Sequence, residues 1–107
     1  MNKLLIIFSF LFLVSCQSVN NLSKEFNNLL IGKDINEYIF KVGPPDSKTT
    51  LSDGRQIFVY KEEFLYQGVT YNCLGNFFVN DKNEIVRIDF VGLRGPCIRL
   101  INRIKIN

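Results

Sequence analysis

The chain has 107 residues, 47% of them hydrophobic and 21% charged, which gives room for one small domain and not for a second. Its formal charge of +3 is too small a surplus to argue for nucleic acid binding, and no Arg/Lys run with interleaved aromatics accompanies it. There are no histidines and no tryptophans, so the commonest general base and the commonest zinc ligand are both missing.

Taken in order, Lys3 precedes an apolar run from Leu4 to Val14 broken only by Ser9. This run is shorter than the roughly 18 residues a membrane-spanning helix needs, and it matches the hydrophobic part of a secretory signal. Leu13-Val14-Ser15-Cys16 resembles the lipobox at which bacteria cleave a precursor and acylate the new N-terminal cysteine. The expectation is a cleaved signal over 1–15 and a single domain over 16–107, tethered through lipid on Cys16. Several acyl chains, palmitate among them, at about 0.8 kcal/mol per buried methylene suffice for stable attachment. Gln17 stands where lipoproteins kept on the inner membrane carry Asp, so the resemblance implies the periplasmic face of the outer membrane.

Val19, Leu22, Phe26 and Leu29, with Leu30, recur at helical steps, and the spacing predicts an amphipathic helix over 18–30 with Lys24, Glu25, Asn27 and Asn28 on its wet side. Asp34 and Glu37 have capping-box spacing and open a second helix whose apolar face is Ile35, Tyr38, Ile39 and Val42. Gly43 and Pro44-Pro45 end it.

From Asp46 the period changes to alternation. A short segment at 48–51 and a strand over 55–62 flank the Asp53-Gly54 turn, and 64–70 reads as a loop or irregular extension around Gly68. In the next strand Tyr71, Cys73, Phe77 and Val79 form the core face. Asn80 to Asn83 makes a hairpin connection, after which Val86, Ile88 and Phe90 alternate with Arg87 and Asp89 until Gly92, Gly95 and Pro96 stop the strand. Residues 97–107 alternate apolar and basic positions, a pattern that fits a short edge strand and a helix equally. The predicted class is α+β, with two N-terminal helices packed on a three-stranded or slightly larger antiparallel sheet.

Gly32, Asp34, Tyr38, Val42-Gly43 and Pro45, followed by Phe58-Val59-Tyr60, the run 77–79 and the run 85–90, resemble the SmpA/OmlA (BamE-like) family of bacterial outer-membrane lipoproteins. Asp34 replaces the family's usual Thr and Phe58 its usual Trp. The resemblance implies a non-enzymatic module that binds envelope proteins, with the β-barrel assembly machinery as an implied partner, and it implies no cofactor. The two-helix, sheet-backed unit also resembles the repeats of β-lactamase inhibitor proteins, which implies an alternative: an inhibitor or exclusion lipoprotein that occludes an enzyme or receptor.

Cys73 and Cys97 enclose about 24 residues, and an oxidising periplasm favours a disulfide between them. Two thiols without histidine do not make a usual zinc site, so no metal is expected. Glu62 and Glu63 are strand neighbours aimed at opposite faces and do not converge on a substrate. The candidate partner-binding residues are the aromatics Phe64, Tyr66 and Tyr71 near Gly68, and the cations Arg99, Arg103 and Lys105.

Overall fold

Asp34 provides the first fixed point of the fold. In the computed structural model, which describes residues 23–106, its Oδ1 accepts the backbone N–H groups of Asn36 (2.7 Å) and Glu37 (3.3 Å). Two otherwise orphaned donors at the start of a helix are thereby satisfied. The elements run α1 (described over 23–30), α2 (Ile35–Val42), β1 (Ser47–Thr50), β2 (Gln56–Tyr66), β3 (Val69–Val79), β4 (Ile85–Gly92) and α3 (Arg94–Ile104). The signal segment 1–15, Cys16, and the Val19 and Leu22 part of the first helix lie outside the described residues. Among the described residues no helix is long and apolar enough to cross a membrane.

The strands form one antiparallel sheet in the order β1-β2-β3-β4, so the class is α+β as the sequence predicts, with β1 as a fourth strand and α3 as a further helix. One face carries the core. Phe26 of α1, Ile35 and Tyr38 of α2, and Cys97, Leu100, Ile101 and Ile104 of α3 join the inward residues Phe58, Tyr60, Cys73, Phe77, Val79, Ile85 and Ile88. Phe77 lies at its centre, with ring centroids 5.1 Å from Tyr38, 5.4 Å from Tyr60 and 6.0 Å from Phe26. Both buried tyrosines find acceptors for their hydroxyls. Tyr38 donates to the Ile104 carbonyl at the end of α3, and Tyr60 donates to the Gly43 carbonyl (2.7 Å) just after α2. Each bond satisfies a carbonyl that a helix end leaves without an intrahelical partner.

Residues 97–104 resolve as helix, because Cys97, Leu100, Ile101 and Ile104 share a helical stripe while Arg99, Asn102 and Arg103 remain outside. A strand would have put polar Asn102 on the same side as Leu100 and Ile104. Gly95 and Pro96 therefore begin α3 and do not stop β4. Pro96 falls in the first turn, where a missing N–H costs nothing. Gly75 lets α3 come close, since a Cβ there would sit 3.3 Å from Leu100 Cδ2 and 3.1 Å from the Phe90 ring. Cys73 of β3 and Cys97 of α3 form a disulfide with Cα atoms 5.0 Å apart.

Three expectations change. Val86 is half exposed and Ile85 is buried, because a register shift beside Phe78 and Val79 inserts an extra residue into β4 and turns Ile85 inward with Ile88. Leu29 is 67% exposed and leaves the apolar stripe. Asn27, assigned to the wet side, is half buried at the sheet edge: its Nδ2 donates to the Ile88 carbonyl and its Oδ1 accepts the Ile88 N–H, both at 3.0 Å. One side-chain amide thus stands in for a neighbouring strand along part of β4 and places α1 at that edge.

Replacing Cys73 and Cys97 together by serine is expected to lower stability by about 3.5 kcal/mol in the loop-entropy model, measured by urea unfolding under oxidising conditions. Burial, helped by the nearby Asp46 carboxylate, raises the Tyr60 phenol to about 12, and burial raises Tyr38 further still. The unfolded phenols ionise near 10 while the folded ones keep their protons. Stability from Tyr60 is therefore complete below pH 10 and is lost as pH rises from 10 through 12, and Tyr38 carries the loss on to higher pH. Equilibrium unfolding between pH 9 and pH 12 should show that loss, and Tyr60→Phe should reduce it.

Candidate functional site

β2 and β3 pair over eleven positions, from Gln56 opposite Val79 to Tyr66 opposite Val69. Their neighbours stop sooner: β1 covers β2 only over Gln56–Val59, and β4 reaches β3 only as far as Cys73, opposite Gly92. Beyond the Glu62–Cys73 pair the sheet is two strands wide. The stretch expected as a loop over 64–70 is therefore the end of a hairpin, closed by Gln67 and Gly68, both with positive φ (50° and 77°). Two left-handed residues in succession are what a tight hairpin turn matched to strand twist demands.

A two-stranded ribbon is marginal alone in water. Here one side of it is buttressed. Phe64 and Tyr71 face each other across the strands with stacked rings, centroids 5.4 Å apart, and the Arg99 guanidinium lies 4.4 Å over the Phe64 ring. Arg103, one turn further along α3, donates from Nη2 to the Lys61 carbonyl (2.6 Å) and approaches the Glu62 carboxylate at 3.6 Å. The disulfide fixes the start of α3 to the base of the arm, and the two arginines fix its later turns to β2.

Four of the six sequence-predicted partner-binding residues, Phe64, Tyr71, Arg99 and Arg103, thus form one group under the arm. Tyr66 stands apart at the tip. Lys105 follows α3 at the opposite end of the helix, where with Phe26, Leu30, Tyr38, Lys41 and Ile106 it lines a separate open cavity of about 280 Å³. Glu62 turns to Arg103, while Glu63 turns the other way and pairs with Lys61 at 2.9 Å. That carboxylate holds the exposed Lys61 ammonium above its usual range. Among the described residues no group of three or more His, Cys, Asp or Glu side chains is arranged to hold a metal ion. Asn80 Oδ1 accepts the N–H groups of Lys82 (3.0 Å) and Glu84 (2.9 Å), closing a side-chain-capped turn.

Leu65 and Val69, absent from the sequence-predicted set, give the tip with Tyr66 three large apolar side chains at 71%, 51% and 59% exposure respectively. The available signal was Gly68 between two aromatic-rich runs, a residue free to take the positive φ that a tight turn needs. Also absent from that set is Asp46, whose carboxylate accepts the Lys61 N–H (2.7 Å) while its own N–H donates to the Val59 carbonyl (2.8 Å), ending the β1 side of the sheet. Phe40, on the outer side of α2, is almost fully exposed and belongs to neither group.

A double-mutant cycle between Phe64→Leu and Arg99→Gln, read by urea unfolding, is expected to give a coupling of about 0.5–1 kcal/mol, the value of a cation over an aromatic face at a partly exposed site. A coupling of zero would mean that the stack does not support the arm. No protein-family model, no characterised protein and no solved structure matches this chain.

Proposed function

We propose that the chain is a lipid-anchored, non-enzymatic docking module that acts from the periplasmic face of the outer membrane and supports outer-membrane protein assembly or envelope integrity. The observation that carries this reading is the two-stranded arm. It presents Leu65, Tyr66 and Val69 to solvent on a base held by a disulfide, an aromatic stack and two arginines. Large apolar and aromatic side chains on a rigid support provide contact area at low entropic cost, the property of energetic anchors in interfaces.

The lipobox at Leu13 to Cys16 supports the anchoring half of the reading. Six residues of sequence lie between Cys16 and Ser23, where the described part of α1 begins, so an anchor on Cys16 would hold the domain near the membrane, where tethering raises the effective concentration of envelope partners. The resemblance of Gly32, Asp34, Tyr38, Val42-Gly43 and Pro45 to the SmpA/OmlA pattern supports the assembly role. The same arm, entering a cleft of an enzyme or receptor, would serve the inhibitor or exclusion role, and the test separates the two.

The full chain is recovered by affinity from crosslinked, detergent-solubilised envelopes and its partners are identified by mass spectrometry, with Cys16→Ala as the unanchored control. Subunits of the β-barrel assembly machinery are expected, and Leu65→Ser with Tyr66→Ser should lower their recovery about tenfold or more, as the loss of interface anchors does. Recovery of one soluble enzyme or receptor at near equal stoichiometry would replace the assembly role by the inhibitor role. Unchanged recovery with the tip variant would remove the arm from the interface.

A further inference from the structure

Backbone direction along β2 can be read from its partners. The Val59 carbonyl and the Lys61 N–H and carbonyl all point away from β3, toward Asp46 and Arg103. Hydrogen-bonding groups alternate along a strand, so the N–H and C=O of Glu63 and Leu65 point off the same edge. Among the described residues nothing meets them. β1 cannot extend over this stretch, because Pro44-Pro45 precedes Asp46 and would sit where the ladder should continue. On the opposite edge of the arm the backbone is partly taken, since the Leu93 N–H donates to the Asn72 carbonyl (3.3 Å).

From this open edge we infer that the β2 side of the arm is a strand-addition site, taking an extended peptide segment that carries a carboxylate on its helix-facing side. The inference deepens the docking-module reading and rests on it. A strand laid against Glu63 and Leu65 makes main-chain bonds of the kind that give affinity in peptide recognition by sheet edges, and its alternate side chains give specificity. The residue opposite Phe64 emerges on the side where α3 lies. There it meets Arg99, which sits over Phe64 and has no carboxylate partner among the described residues. Arg103, by contrast, is already engaged by Glu62 and the Lys61 carbonyl. On the other side of the added strand, Leu65 offers an apolar neighbour and the Lys61–Glu63 pair is internally neutralised. The edge therefore selects backbone geometry through Glu63 and Leu65, and charge through Arg99.

The full chain, isotope-labelled and held in detergent micelles, is titrated with a panel of acetylated, amidated octapeptides that alternate Thr and Val, with one Asp moved through successive positions. Peptides that bring Asp beside Phe64 are expected to shift the amide resonances of Glu63 and Leu65 and to slow their hydrogen exchange by about tenfold or more. Arg99→Gln should abolish the preference for Asp over Asn. Leu65→Pro removes the outward N–H together with the Leu65 side chain while leaving the β2–β3 ladder intact, and should abolish binding; Leu65→Ser, which loses the side chain but keeps the N–H, should still bind. Four outcomes would overturn the inference: no response at millimolar peptide, shifts confined to another surface, equal binding by peptides N-methylated on their edge-facing amides, or protection of Glu63 and Leu65 that rises with protein concentration alone. The last would assign the edge to a second copy of the chain. Any of these would leave envelope recovery through the apolar tip untouched, so failure here is distinguishable from failure of the docking module.

Discussion

The close approach of α3 to β3 is the constraint on which the rest of the structure depends. It has two sources: the Cys73–Cys97 bond at the start of the helix, and Gly75, where any side chain would meet Leu100 and Phe90. Once α3 lies against the strands, Leu100, Ile101 and Ile104 cover the sheet face that Tyr60 and Phe77 would otherwise expose. The Ile104 carbonyl also reaches the Tyr38 hydroxyl, which ties α2 to the same centre. A small domain buries a smaller fraction of its surface than a large one, and a cross-link between the sheet and its last helix reduces what hydrophobic burial must supply.

The same placement explains why a two-stranded arm can persist. Isolated ribbons are unstable because each strand has only one neighbour to satisfy its backbone and one face to bury. Here Arg99 rests on Phe64, which stacks on Tyr71, and Arg103 bonds the Lys61 carbonyl, so α3 acts as a strut along the strand that has lost β1. The strut ends before the tip. What lies past it, Leu65, Tyr66 and Val69 around the Gln67-Gly68 turn, is exposed, with an open backbone edge beside Glu63 and Leu65. Buttressing is concentrated where the helix touches, and exposed apolar surface is left where it does not.

Much of the frame was legible from local chemistry. Asp34 is a helix cap at its own position, Gly43 with Pro44-Pro45 is a stop, and the alternation of Tyr71, Cys73, Phe77 and Val79 identifies the inward face of β3 without knowledge of any neighbour. The features that escaped depend on distant parts of the chain. Residues 97–104 alternate apolar and basic positions closely enough to suggest a strand, only Asn102 breaks the apolar side of that pattern, and the sheet surface and the disulfide decide for the helix. Val86 changes face through a bulge whose cause lies in the pairing with β3, and Asn27 is a polar helix residue until β4 brings Ile88 to it. The candidate site was half visible. Phe64, Tyr71, Arg99 and Arg103 could be named as aromatics and cations, but their grouping follows from how far β1 and β4 extend. Leu65 and Val69 fall in a stretch that reads as a loop or irregular extension, and their exposure is a property of the assembled sheet.

The central claim is that contact with a partner is made through the arm. The most direct test places a photoreactive amino acid, one position at a time, at Leu65, Tyr66 and Val69, and for comparison at Phe40 and Val86, which are exposed elsewhere on the domain. Irradiation of intact cells should crosslink the three arm positions to one and the same envelope protein, with Phe40 and Val86 giving no such product. Crosslinks from Phe40 or Val86 to a defined partner, with the arm silent, would contradict the account and move the working surface to α2 or the outer side of β4.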